Sequence, residues 1–387
     1  MMKTLIASTG EIDDAAEAVR ELKAQLKTDE NLCANSIGII SCHQEFITSG
    51  AAAEIIAELP FDIAGIVTLS QAVNGIHGDF LLSLMVLTGD DVSFVSGISE
   101  SLTTEPGKKI ADTYRTLSAG SGEKPALIFS FAPFMLENSG DEYVNVITEV
   151  SGGVPCFGTM AIDGSNTFEN SVMLYNTGFY RDRMAMILVY GDIKPRFFYA
   201  TISPEKIIPK AALITKSDRH ILMEVNGKPL DDYFKELGLT GASEVQYAMA
   251  SLPFMLDYND GTPPVSKVLI SRTPENYAIC AGIMPESSSM YVGVFDKEDV
   301  LLTTGKSVAE ALGGIDGAAC MLMYSCISRS MSLGVDSNAE LELLCGSIGD
   351  RVPFMAAYSG GEMCPTQVND SRAINRFHNN TFIMCVI

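Results

Sequence analysis

The chain has 387 residues, 47% of them hydrophobic and 19% charged, with 33 Gly and 16 Pro spread along it. That is more chain than one hydrophobic core organises, so the expectation is two domains or one duplicated domain, and the composition excludes disorder and collagen-like structure. The 26 basic residues against 48 acidic ones give a net charge of −22, a field that repels phosphate backbones and anionic headgroups and argues against nucleic acid as a partner.

The most apolar runs, Phe80 to Leu87 and Met184 to Tyr190, are under ten residues each, against about 20 for a membrane-spanning helix, so no membrane insertion is expected. Only Lys3 precedes the first brief apolar run and an acidic segment from Glu11 follows, which does not match the order of a signal peptide. The nine cysteines form no CxxC pair, and several lie in apolar runs such as Cys320 to Cys326, as reduced, buried thiols do. This places the protein in the cytoplasm. His43, His77, His220 and His378 lack the spacing that puts two ligands on one face, so no metal site is expected.

In chain order, Ile12, Ala15, Ala16, Val19, Leu22 and Leu26 make one apolar helical stripe. Ser36 to Ser41 suits a buried strand, and Ala51 to Leu59 a helix ended by Pro60. This strand, loop, helix, proline order returns twice, an internal repeat. The second copy runs through a strand at Ala126 to Phe131, a helix at Glu142 to Val150 and Val154 to Thr159; the third through a strand at Cys320 to Ser325, a helix opened by a Ser337/Glu340 capping box, and Val352 to Phe354. Each copy continues into further strands: Phe80 to Leu87 with Val92 to Val95 through a hairpin turn at Gly89 to Asp91, and Val172 to Tyr175 with Ala185 to Tyr190. Prolines and charges gather around residue 205 (Pro195, Pro204, Pro209), as at a domain junction; beyond it come a strand at His220 to Val225, an Asn226-Gly227 turn and a short helix from Pro229. The expected class is α+β: two domains, 1–205 and 206–387, with mixed sheets flanked by helices and repeated strand-helix-strand-hairpin units.

Three C-terminal segments occur in an order that resembles the FIST family (F-box and intracellular signal transduction): Ser325-Cys326-Ile-Ser-Arg329, Pro353 to Gly361-Glu362, and Phe377-His378-Asn379-Asn380-Thr381. Glu58 to Thr68 and Val154 to Asp163 are similar to strand-and-turn segments of that family's N-terminal half, and Val225 to Pro229 to the junction between its halves. The chain departs from the pattern at Leu69-Ser70-Gln71-Ala72, where many members carry Gly-Glu. The resemblance implies a bacterial stand-alone sensor that binds a small molecule, an amino acid or similar carboxylate, and acts through a separate signalling protein. A haem-containing branch that senses nitric oxide supplies an alternative, with His43 or His378 as proximal ligand; otherwise no cofactor is implied.

The residues then suggest roles. Arg329 can grip a carboxylate through two parallel hydrogen bonds, or serve an internal ion pair with Glu362. Glu362 is aimed by the Gly360-Gly361 turn. Cys326, His378, Asn379 and Thr381 complete the C-terminal set of candidate ligand contacts, and the resemblance adds Thr68 and Asp163 from the N-terminal half. Adjacent Cys42 and His43 point to opposite faces of an extended chain and make no nucleophile–base pair. No phosphate loop and no Gly-x-Ser-x-Gly elbow is present. A non-enzymatic binding protein is therefore expected, with a cysteine-dependent enzyme as the remaining alternative.

Overall fold

In a computed structural model that describes residues 2–135, 138–165, 168, 170–239, 251–369 and 372–387, the repeat read from the sequence is the organising unit. The first copy runs strand Lys3–Thr9, helix Ala15–Leu26, strand Asn35–His43, helix Ala51–Ala57, strand Asp62–Thr68, a hairpin of Gln71–Val73 and Ile76–Gly78, and strand Leu82–Gly89. The second follows the same order from Ser93–Ile98 through Pro106–Ser118, Leu127–Ala132, Gly140–Ser151, Cys156–Met160 and the hairpin Met173–Tyr175/Gly178–Tyr180 to Ala185–Tyr190. The third runs from Arg196–Ala200 through Lys297–Leu312, Met321–Cys326, Ala339–Ile348, Phe354–Ser359 and the hairpin Glu362–Asn369/Arg372–His378 to Phe382–Val386.

Each copy builds a mixed sheet. Its second and third strands are parallel, joined by the crossing helix, and its last strand lies antiparallel between the first and the second. Each hairpin leaves its own copy for another sheet. That of the first copy pairs with Phe354–Ser359, that of the second with Asp62–Thr68, and that of the third with Cys156–Met160. Where the third strands end, the sheets are stitched in a ring: Ile162 N–H donates to Val67 O (3.2 Å), Gly360 N–H to Met160 O (2.8 Å) and Tyr358 N–H to Ser70 O (3.0 Å).

The inner faces share one core that includes Ile39, Ile66, Phe129, Phe157, Ile187, Leu322, Tyr324 and Ile383. The outer faces are covered by the helices, through Ala18, Leu22 and Ile55, through Ile110 and Ile147, and through Val308, Leu341 and Leu344. Helix starts follow local chemistry: Asp14 accepts from Glu17 N–H and Asp296 from Asp299 N–H, both at 3.0 Å, satisfying free first-turn donors. Gly65 and Gly158 sit opposite Ile40 and Ser130 in the parallel pairs, where an added Cβ would lie 1.8 and 1.9 Å from a backbone oxygen, so only glycine fits.

Between Arg196–Ala200 and Lys297–Leu312 a fourth sheet of eight strands is inserted. Its edge strands, Val265–Lys267 and Leu269–Arg272, are separated only by Val268, so the sheet curls until its edges meet. The Asn226-Gly227 turn, with φ of 52° and 72°, and the helix Leu230–Glu236 behind Pro229 match the sequence reading.

Two expectations change. Gly89 to Asp91 makes no hairpin, because Leu82–Gly89 and Ser93–Ile98 lie in different sheets; Met173–Tyr175 and Ala185–Tyr190 are divided likewise. Alternation reveals a strand but not its partner. Ser337/Glu340 makes no capping box either: Asn338 precedes the helix and Glu340 is buried in an ion pair. Residue 205 lies in the short turn Pro204–Lys206 at the entrance to the insert, and the exchanged hairpins make strands from both sides of it neighbours.

Candidate functional site

A cavity of about 100 Å³ opens beside the stitched strand ends. The second copy lines it with Phe134, Ile162 and Phe168, the insert with Val268, Leu269, Ile270 and Ala281, and the third copy with Cys326, Ile327, Ser328, Met331, Gly360 and Asn379. The rings of Phe134 and Phe168 meet edge-on at 5.0 Å. Asn379 is held by its backbone, donating to Ser266 O (3.0 Å) and accepting from Thr381 Oγ1 (2.7 Å), while its side-chain Oδ1 is buried without a hydrogen-bond partner among the described residues. A buried, unpaired amide oxygen is costly unless something else supplies a donor.

Behind the cavity wall lies Glu362, fully buried. Ser359 Oγ donates to its Oε1 at 2.8 Å, and among the described residues Oε2 has no hydrogen bond of normal geometry, with the Cys326 thiol as its neighbour. Burial pushes its carboxyl well above the usual range. The neighbouring Cys326 thiol is pushed up to about 12, by burial first and by Glu362 second. Ser328 Oγ lies 3.2 Å from Cys326 Sγ and donates to Asn380 Oδ1 at 2.8 Å. A thiol so disfavoured as thiolate is a poor nucleophile.

Arg329 belongs to a different compartment. Its Nε and Nη2 donate to Glu340 Oε1 at 2.9 and 2.8 Å, and Nη2 also reaches Thr304 Oγ1 (2.6 Å) and Val300 O (3.0 Å). Ser325 Oγ holds the other Glu340 oxygen at 2.6 Å, and both ionic side chains are fully buried. The internal partner of Arg329 is thus Glu340 rather than Glu362, and Arg329 does not line the cavity.

The remaining candidates are dispersed around this centre. Thr381 shapes the turn that carries Asn379, and Cys326 N–H donates to Thr381 O. Thr68 Oγ1 donates to Tyr358 O at 2.6 Å, part of the junction between the first and third copies. Asp163 accepts from Ser165 N–H (3.1 Å) and Asn170 N–H (2.6 Å), two residues that flank Phe168 in the chain. His378, opposite Glu362 across the hairpin, is enclosed against the Tyr199 ring with Nε2 3.2 Å from Cys364 O, and burial pushes its pKa down to about 3. His43 accepts from Glu45 N–H through Nδ1 and packs on Phe80. His378 is fully enclosed, whereas His43 is half-buried with its Nδ1 engaged at the helix start.

Sequence reasoning missed the insert's contribution and the cation that anchors it. Lys267 Nζ, fully buried, donates to both Asp141 oxygens and to Phe377 O, each at 2.8 Å, and Ile283 N–H also donates to Asp141. This ties the insert to the second copy and to the third copy's hairpin, one residue from the cavity wall at Val268. A lysine interrupting the apolar run Val265 to Ile270 was the available signal. Among the described residues no cluster of three or more His, Cys, Asp or Glu could hold a metal ion, and no helix is long and apolar enough to cross a membrane.

Three interleaved mixed sheets, with an inserted curled sheet closing over a small cavity, define an α+β protein built by threefold repetition. Family comparison makes this specific: the FIST N domain matches residues 7–228 and the FIST C domain residues 229–365, so the chain belongs to the FIST family, whose domains are signal-transduction sensor domains. No curated protein matches it. Among solved structures it is similar to a cyanuric acid hydrolase from A. caulinodans, at 9% identity and TM-score 0.41 over 100% of this chain and 98% of that one. It is also similar to PurLQS from Thermotoga maritima, at 9% identity and TM-score 0.21 over 100% and 72%, and to T. maritima PurL complexed with ADP, at 10% and 0.19 over 100% and 71%.

Proposed function

We propose that the protein is a non-enzymatic small-molecule sensor whose ligand occupies the cavity between the second copy, the third copy and the insert. The observation that carries this is Asn379 Oδ1: a buried acceptor without a partner among the described residues, on a residue lining a cavity built from three separate parts of the fold. A ligand touching all three favours one placement of the insert over others, and that differential contact is what a sensor transmits. The output passes to a separate signalling protein. The nine free cysteines support a reducing compartment, the cytoplasm.

An amino acid is poorly served by this cavity. Its carboxylate needs a cation, and the one the sequence offered, Arg329, is consumed by Glu340. A thermal-shift screen with the twenty amino acids and a set of neutral small molecules tests the reading on wild type and on Met331→Trp, which fills the cavity mouth. A ligand at about 100 times its dissociation constant adds about 2.7 kcal/mol, so compounds should stabilise wild type and not the variant. Equal stabilisation of both, or of neither, refutes the site.

A further inference from the structure

We infer that the ligand is an uncharged molecule with an apolar body no larger than about a benzene ring and a single hydroxyl, as in phenol or a short branched alcohol. This rests on the reading of the cavity as the ligand site and goes beyond it by assigning the chemistry. Nine of the thirteen described lining residues are apolar: Phe134, Ile162, Phe168, Val268, Leu269, Ile270, Ala281, Ile327 and Met331. None of the thirteen is Asp, Glu, Lys, Arg or His. A charged group placed there would lose its hydration without gaining a counter-ion, which excludes carboxylates, phosphates and zwitterions by a wide margin.

The nearest ionic groups do not change this. Arg329 is paired with Glu340 and Lys267 with Asp141, both pairs buried. Glu362 is enclosed behind Cys326, with no cation bonded to it among the described residues. An anionic ligand would meet a chain of net charge −22 with no cation among the described residues of the wall.

The polar requirement is one donor. Asn379 Oδ1 lacks a hydrogen-bond donor among the described residues and is itself enclosed at the cavity wall, so a rotation of the carboxamide brings it to a ligand hydroxyl, which supplies the donor while its own oxygen remains free to accept. The upper size limit follows from volume: a dry apolar cavity of about 150 Å³ takes a benzene molecule, and this one is smaller, about 100 Å³, so a ring of that size enters only as the exposed Met331 side chain at its edge turns outward. The Phe134 and Phe168 rings offer an aromatic ligand edge and face contacts.

The test is isothermal titration calorimetry of the full chain with four probes of similar shape: phenol, toluene, benzoate and benzylamine. Phenol is expected to bind about tenfold more tightly than toluene, the value of one satisfied hydrogen bond, and benzoate and benzylamine at least about a hundredfold more weakly than phenol. Asn379→Leu should erase the preference of phenol over toluene. Met331→Trp, and Ala281→Met as a second filling variant in case the indole swings into solvent, should abolish phenol binding. Benzoate or benzylamine binding as tightly as phenol, with binding lost in both filling variants, overturns the ligand class and leaves the site standing. Phenol binding unchanged in both filling variants, or no binding of any probe to wild type, overturns the class and the site together. Retention of the phenol preference in Asn379→Leu overturns the role given to the carboxamide.

Discussion

Replacing Arg329 with Met keeps most of the aliphatic volume and removes the charge, so its effect isolates the buried ion pair. In the native chain the guanidinium makes two bonds to Glu340 Oε1 and two more to Thr304 Oγ1 and Val300 O, and its plane lies over the Phe295 ring at 5.3 Å. After the substitution the Glu340 carboxylate keeps neutral donors such as the hydroxyls of Thr304 and Ser325 but no cation, in a site with no water-exposed surface. An uncompensated buried charge costs about 3 to 5 kcal/mol, a large part of a total stability of about 5 to 15 kcal/mol. Glu340→Gln should cost a comparable amount by stranding the cation. In the double variant Arg329→Met/Glu340→Gln no charge remains, and the carboxamide accepts from one hydroxyl through its oxygen and donates to the other through its NH2, so its cost should fall far below the sum of the singles. Denaturant unfolding followed by fluorescence and circular dichroism measures all four proteins. A single-variant cost under about 1 kcal/mol, or a double-variant cost equal to the sum, would refute the reasoning, and phenol affinity of folded Arg329→Met should match wild type within about twofold.

Further outcomes follow from the same geometry. Gly65→Ala and Gly158→Ala should each prevent folding or cost more than about 3 kcal/mol, because the new Cβ meets a backbone oxygen that cannot move without opening the parallel pair; soluble expression and melting temperature check this. Glu362 holds its proton more tightly folded than unfolded, so its contribution is full below about pH 4.5 and is lost as pH rises, at about 1.4 kcal/mol per unit, towards its raised folded value; the stability of wild type minus that of Glu362→Gln, measured against pH, should slope downward. His378 has the opposite sense: its neutral ring contributes fully above pH 6.5 and the contribution falls as pH drops towards about 3, so His378→Gln should flatten acid destabilisation. Of the nine thiols, half-exposed Cys33 and Cys345 should react with a disulfide reagent in the native state, whereas Cys326 should react slowly and still more slowly with phenol bound.

The repeat was legible because each copy carries the same run of strand, helix and proline, and the parallel pair with its crossing helix is a local consequence of that order. The exchanged hairpins were not. Gln71–Val73 pairs with Met355 to Ala357 almost three hundred residues away, and nothing in a three-residue strand announces its partner. The C-terminal motif residues did converge: Cys326 and Asn379 line one cavity, with Glu362 directly behind it. Arg329 stands three residues from Cys326, on a helical turn that carries its side chain away from the cavity to Glu340, whose place in a Ser-x-x-Glu pattern suggested a cap. The apolar wall from Val268 to Ile270 was hidden because an ordinary strand sequence does not show what it faces.

The central claim, that the cavity at Asn379 is the ligand site, is tested most directly by a methyl NMR titration of wild type with phenol. The Ala281, Ile327 and Met331 methyl resonances should shift together in a saturable way while those of Met2 and Val386, at a separate surface cleft, stay in place. Saturable shifts at Met2 and Val386 with the Ala281, Ile327 and Met331 methyls unmoved would contradict it.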